Sequence, residues 1–238
     1  RIETAKKSDF GRAVSRFEVF YYTRPKGGDI GVYIDGRRKD VIDTNHEVEG
    51  PAYAKYLVAD GRHTIELRPR GNGEVTLFGV ASERDEIGVL VDTLGINGAK
   101  ATSQLQWDEA IFTSHMKKRN PDLLVIAYGT NATGDTDTPI ADYEADYDKV
   151  VARIKKAAPE ASCVVVGPSD WPVKVEVEVE SKRGRKKARR RKRRRKPRTI
   201  TAFKVRERTG QVIDVQRRVA HKYGCGYWDW RAAMGGEL

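Results

Sequence analysis

Near Glu86 the hydrophobic periodicity of this chain changes, and that change restricts it to a two-part architecture of antiparallel and then parallel β structure. Before it, apolar residues come in short β-type runs at residues 17–22, 30–34, 53–58, 64–67 and 74–80. Phe17, Val19 and Tyr21, and again Ile65 and Leu67, recur at period two, the spacing of a strand with one wet face. Gly27-Gly28, Asp35-Gly36, Asp60-Gly61 and Gly71-Asn72-Gly73 separate the runs with residues that tolerate positive φ. Short strands at this spacing predict a jelly-roll-like β-sandwich over residues 1–85.

After Glu86 apolar strand candidates alternate with helical segments, the pattern of a parallel sheet covered on both faces. The candidates run from Gly88 to Leu94, Leu123 to Tyr128, Cys163 to Gly167 and Gly226 to Trp228. Between them Ile140, Tyr143, Tyr147, Val150, Val151 and Ile154 fall on one helical face. Thr138 is the expected N-cap of that helix, with Pro139 at its first position. Val212, Val215, Val219 and Tyr223 form a second stripe, closed by Gly224. A helix between about Ser103 and Lys118 is less regular. The fold class expected is therefore α/β: an N-terminal β-sandwich, then a partial flavodoxin-like parallel-sheet domain over residues 86–238.

A segment at about residues 173–201 interrupts this order. Val173, Val175, Val177 and Val179 alternate with Lys174, Glu176, Glu178 and Glu180, as in a half-exposed strand or ribbon. From Lys182 to Arg198 there are 14 Lys and Arg and no Asp or Glu. Removing these 14 from the 45 basic residues leaves 31 against 34 acidic ones, a net of −3 in place of +11. The basicity therefore belongs to one tract, expected to be solvated and disordered, and gives the folded body no basic face. Contact of Lys182 to Arg198 with a polyanion is the alternative, rewarded by counterion release. Base stacking is not expected, because the tract holds no aromatic residue.

No stretch approaches the roughly 20 apolar residues of a membrane span. Two cysteines, Cys163 and Cys225, are too few for a metal framework. They fit either a disulfide or two small buried apolar residues, burial being the commoner state of a free Cys.

Two turns follow predicted parallel strands, Gly95-Ile96-Asn97-Gly98-Ala99 and Tyr128-Gly129-Thr130-Asn131. A glycine N–H and an Asn amide can donate to a carbonyl oxygen as it gains charge, which is what acyl transfer needs. Singly, each turn is equally an ordinary strand-to-helix connection. In order, GVLVDTLGINGA from Gly88, PDLLVIAYGTN from Pro121 and VVVGPSD from Val164 resemble the SGNH (GDSL-like) hydrolases. The likeness is to bacterial members with an inserted β-sandwich, among them peptidoglycan O-acetylesterases; it includes the later stretch Val215 to Gly236 and spans about residues 74–171 and 211–236.

That resemblance implies an esterase or deacetylase acting on acylated carbohydrate or cell-wall polymer, with Gly98 and Asn131 as oxyanion donors and no metal or organic cofactor. It also implies a Gly-Asp-Ser nucleophile and an Asp-x-x-His base. The first is absent, and the second occurs only as Asp43 to His46 and Asp60 to His63, in the expected sandwich, where we read turn residues. His115 and His221 are expected on helix surfaces. Both missing blocks fall outside residues 1–238 in the family's order, so the chain is expected to be an enzyme fragment, inactive alone. A non-catalytic carbohydrate-binding protein on the same scaffold is the alternative. Trp107, Trp171, Trp228 and Trp230 are candidates for sugar stacking or for core. The resemblance implies the bacterial periplasm or envelope.

Overall fold

The computed structural model describes residues 1–8, 10–179 and 198–236. All but the last residue of the basic tract lie outside the described residues, and so does the expectation that the tract is solvated. Among the described residues no helix is long and apolar enough to cross a membrane. The chain divides into a unit of residues 1–94 and a unit of residues 95–238.

The first unit is antiparallel β structure. Seven strands, β1 (Ile2–Glu3), β2 (Val14–Thr23), β3 (Asp29–Ile34), β4 (Arg37–Asp43), β5 (Gly50–Gly61), β6 (Thr64–Pro69) and β7 (Thr76–Glu83), form two sheets. Their orders are β1-β6-β3-β4 and β5-β2-β7. Period-two alternation sends Phe17 and Val19 of β2 and Ile30 and Val32 of β3 into one apolar cluster, which Ile42, Tyr56 and Ile65 complete. That cluster draws on both sheets. The strand β4 had no sequence signal: Arg37-Arg38-Lys39-Asp40 is polar and exposed, and only its ladder to β3 makes it a strand.

The run from Gly88 to Leu94 corrects an expectation. It is not a strand, and Val89 and Val91 are 90% and 83% exposed. A strand in the middle of a parallel sheet exists through neighbours that pair its N–H and C=O groups. Among the described residues no strand pairs with this run.

The second unit holds a three-stranded parallel sheet of β8 (Leu123–Ala127), β9 (Ser162–Val166) and β12 (Gly226–Trp228), with β9 central. A ribbon of β10 (Val173–Val179) and β11 (Arg198–Lys204) lies between β9 and β12 in sequence. A 3-10 helix (Ala101–Gln106) and α1 (Glu109–Arg119) replace the single irregular helix expected, separated at Trp107 and Asp108. The Asp108 side chain caps α1 by accepting the Ile111 N–H at 2.8 Å.

The two predicted stripes become α3 (Ile140–Ala157) and α4 (Arg208–Lys222). The N-cap of α3 is Pro139, one residue later than expected. Thr138 is held instead by Asp135, which accepts its Oγ1–H at 2.8 Å. After α4, Gly224 adopts φ +66 and ends the helix as expected.

Buried α3 and α4 residues share one cluster with Ile126, Cys163 and Val165. Leu123 and Val125, which alternate with Ile126 along β8, are exposed. Coverage of both sheet faces is therefore not observed among the described residues: the apolar helix stripes all join one face. Cys163 and Cys225 are buried as small core residues and also bonded to each other, across 62 residues of sequence. A closed loop of that length limits the unfolded chain by about 4 kcal/mol in the chain-entropy model.

Candidate active site

Open α/β sheets bind ligands beyond the carboxyl ends of their strands, and three such ends come together here. After β8 the chain turns sharply at Gly129, whose φ of +131 excludes an ordinary side chain. Gly129 is also closely packed, since a Cβ there would lie 2.7 Å from Gln216 Nε2. Gly129 leads into the short helix α2 (Thr130–Thr133).

Gln216 is fully buried on α4. Its amide donates to the Tyr128 carbonyl at 2.7 Å and reaches the Tyr143 hydroxyl at 3.1 Å. Gln104 donates to the Tyr128 hydroxyl at 3.0 Å. The turn is thus held by buried polar groups from two helices. Sequence reasoning missed Gln216, although a signal existed: it is a polar residue inside the apolar stripe Val212, Val215 and Val219.

The second turn spans Ile96 to Ala99 and is closed by the Ala99 N–H donating to the Ile96 carbonyl at 3.1 Å. Gly98 occupies its third position with φ +79, the left-handed geometry of a type II turn. The two turns meet through Asn131, whose Nδ2 donates to the Ala99 carbonyl at 3.0 Å. An Asn amide has two N–H groups, so this bond occupies one and leaves the other. A second link joins Lys100 to Asp135 at 2.5 Å. Hydrogen bonds from Lys100 and Thr138 hold the Asp135 carboxyl well below the usual carboxylate range. The sequence-predicted pair Gly98 and Asn131 therefore lies on two turns tied together, although the strand expected before Gly98 is absent.

After β9, Ser169 Oγ lies 3.3 Å from Thr130 Oγ1. Asp170 forms a buried ion pair at 2.9 Å with Arg231, on the helix α5 (Trp230–Ala233) that follows β12. This pair was also missed, since a lone Asp and a lone Arg 61 positions apart leave no pattern. It connects the carboxyl ends of β9 and β12. Trp228 and Trp230 stack there with centroids 6.1 Å apart and both are exposed. Arg206 lies over the exposed Trp171, 4.2 Å from its centroid, whereas Trp107 packs against the core.

Among the described residues, none of His46, His63 and His221 is hydrogen-bonded to a serine. In neither Asp-x-x-His sequence does the carboxylate meet its own histidine. His46 Nδ1 meets the Val48 backbone, and Asp43 accepts the Asn45 N–H. Asp60 pairs with Arg84, and His63 with Asp35. His221 is exposed. His115 corrects the expectation of a surface residue: it is half-buried on α1, and burial lowers its imidazole pKa.

The family model of the GDSL-like Lipase/Acylhydrolase family matches residues 76–238. No curated protein matches the chain. Among solved structures, a peptidoglycan O-acetylesterase matches with a TM-score of 0.62 and 21% identity, over 94% of this chain and 54% of that one. The chain thus spans about half of that protein's length, and the likeness concerns the fold. A family two carbohydrate esterase from Cellvibrio japonicus matches at a TM-score of 0.33 and 12% identity, over 92% of this chain and 78% of that one. A salicylyl-acyltransferase from a tetracycline biosynthetic pathway matches at 0.33 and 15%, over 94% and 69%. These last two superpose too loosely to bear on the fold.

Proposed function

The chain belongs to the GDSL-like lipase/acylhydrolase family, and from that membership we propose that it forms the oxyanion-binding part of a serine ester hydrolase. The observation carrying this reading is the hydrogen bond from Asn131 to the Ala99 carbonyl, which makes the Gly98 and Asn131 turns one unit. In the reaction a serine attacks the ester carbonyl, a histidine takes and returns the proton, and water releases the acyl group. The Gly98 N–H and the second N–H of Asn131 are assigned to the oxygen that becomes negative in the first step. Preorganised donors cost no reorganisation when that charge forms.

No residue of the chain is assigned as nucleophile or base. Ser169 lacks a histidine partner among the described residues, and each Asp-x-x-His sequence is engaged within the antiparallel unit. We therefore infer that these 238 residues alone do not turn over esters. The substrate class proposed is an acylated carbohydrate or cell-wall polymer, with residues 1–85 as a carbohydrate-binding-like β-sandwich and residues 86–238 as the hydrolase domain. Its support is the exposed Trp228–Trp230 stack beside the strand ends and the fold shared with a peptidoglycan O-acetylesterase. The Cys163–Cys225 disulfide fits an oxidising compartment such as the bacterial envelope.

Hydrolysis of p-nitrophenyl acetate tests the reading. The 238 residues should show no turnover sensitive to a serine-directed inhibitor, and such turnover would overturn the absence of a nucleophile. A polypeptide supplying a Gly-Asp-Ser segment before the chain and an Asp-x-x-His segment after it should be active. In that polypeptide Asn131→Ala should lower kcat by about 100- to 1,000-fold, and an unchanged kcat would remove Asn131 from the oxyanion hole. The exposed tryptophan stack also favours a second reading, a glycan-binding protein without catalysis. Glycan binding that survives Asn131→Ala, in a complemented polypeptide that stays inactive, would select it.

A further inference from the structure

Two arginines beside the candidate site, Arg206 and Arg208, form no ion pair among the described residues. The acidic groups around them are engaged elsewhere: Asp135 with Lys100, Asp170 with Arg231 and Glu207 with Lys204. Asp137, exposed on the loop after α2, meets Thr136. From the start of α4, Arg208 donates to the Thr138 carbonyl at 2.5 Å, and its Nε and Nη2 are buried without a hydrogen-bond partner among the described residues. It is an uncompensated positive charge against the loop of residues 134–138.

Arg206 is placed differently. Its guanidinium lies over the Trp171 ring, 4.2 Å from the centroid, and its Nε–H donates to the Trp171 carbonyl at 3.1 Å. That bond orients the planar fork and uses one of its five N–H groups. Trp171 stays 44% exposed. Both side chains close on Gly134, where a Cβ would lie 2.9 Å from Arg206 Nη1 and 3.5 Å from Trp171 Cζ3. Gly134 ends α2 three residues after Asn131. The pair therefore stands about one helical turn, roughly 5 Å along the axis, from the assigned oxyanion donor.

A guanidinium with its terminal N–H groups available takes a carboxylate in two parallel bonds, and an exposed indole beside it offers apolar area to a sugar ring. Phosphate sites draw on backbone N–H groups at a helix start, but at the start of α4 the Thr209 N–H is spent on the Arg206 carbonyl at 3.0 Å. Resting on the oxyanion role proposed for Asn131, we propose that Arg206 and Trp171 form a subsite selecting glycan substrates that carry a carboxylate close to the ester. That carboxylate belongs to a uronic acid ring or to an ether substituent of the sugar. Arg208 adds to the attraction from behind the loop.

Fluorescence titration of the full 238-residue chain tests this, comparing a glucuronic acid trimer with a glucose trimer and N-acetylmuramic acid with N-acetylglucosamine. At least one acidic ligand should bind about tenfold more tightly than its neutral counterpart, and the pair that shows the preference identifies the source of the carboxylate. Arg206→Gln should bring the ratio close to one while neutral-ligand binding persists. Arg206→Lys keeps the charge without the fork and should retain an intermediate ratio, so a folding defect in the Gln variant does not decide the result. No preference in either pair, or one that both Arg206 variants leave intact, would overturn the proposal. So would a preference lost on deleting residues 182–197, which would assign the carboxylate to the basic tract, or displacement of the acidic ligand by an equal concentration of inorganic phosphate. Turnover is not measured. A complemented polypeptide that is inactive with the preference intact would sink the esterase reading alone, and an active one without the preference would sink this proposal alone.

Discussion

Gly98 and Gly129 look alike in sequence, each a glycine in one of the two turns of the candidate site, and differ in what surrounds them. Both have positive φ, but a Cβ at Gly98 would meet nothing within 4 Å, whereas one at Gly129 would collide with Gln216. Gly98→Ala should therefore cost only the left-handed backbone penalty, about 1–2 kcal/mol. Gly129→Ala adds displacement of a buried amide that bonds the Tyr128 carbonyl, and should cost more, to roughly 3 kcal/mol. Urea unfolding of the two variants checks this, and equal losses would mean that Gln216 yields without penalty. At this scale the residue types of the site were legible, because Gly and Asn in turns are local signals. Gln216 and the Asp170–Arg231 pair were not, because their partners are distant in sequence.

Among the elements, the connection from β5 to β6, which crosses from one sheet to the other, holds a titratable clasp. His63 lies between Asp35 in the β3–β4 turn, at 2.6 Å, and the Ala59 carbonyl, at 2.7 Å. Both neighbours accept, so both ring nitrogens must donate and the charged imidazolium is favoured. The hydrogen bond to Asp35 is the main cause of the raised pKa, against a smaller opposing effect of burial. A raised folded-state pKa contributes stability that is complete below the ordinary value of about 6.5 and is lost as pH rises through the folded value. The urea midpoint should fall over that interval, and His63→Gln should flatten the fall. A midpoint with the same pH dependence in both proteins would discount the clasp. Elements with their own periodicity, such as β2, α3 and α4, were legible before the structure. The β4 strand and the run from Gly88 to Leu94 were misread in opposite directions, since each depends on whether a neighbouring strand pairs with it.

For the whole molecule, charge is a matter of location. If the basicity belongs to one tract, deleting residues 182–197 removes 13 of the 45 basic residues and leaves 32 against 34 acidic ones, a net of −2. At pH 7 the shortened chain should pass through a cation exchanger that retains the parent; retention would reveal a basic face on the folded units. The amino-acid sequence by itself determined the switch from antiparallel to parallel β structure, the helix stripes and the family blocks, because periodicity and short motifs are local properties. Only the tertiary structure decided that Asn131 reaches the Ala99 carbonyl, that Cys163 and Cys225 bond, and that the helix stripes join one face of the parallel sheet. Those outcomes depend on which distant backbone groups meet, and in a folded chain long-range pairing is set by packing and by the hydrogen bonds each strand can complete.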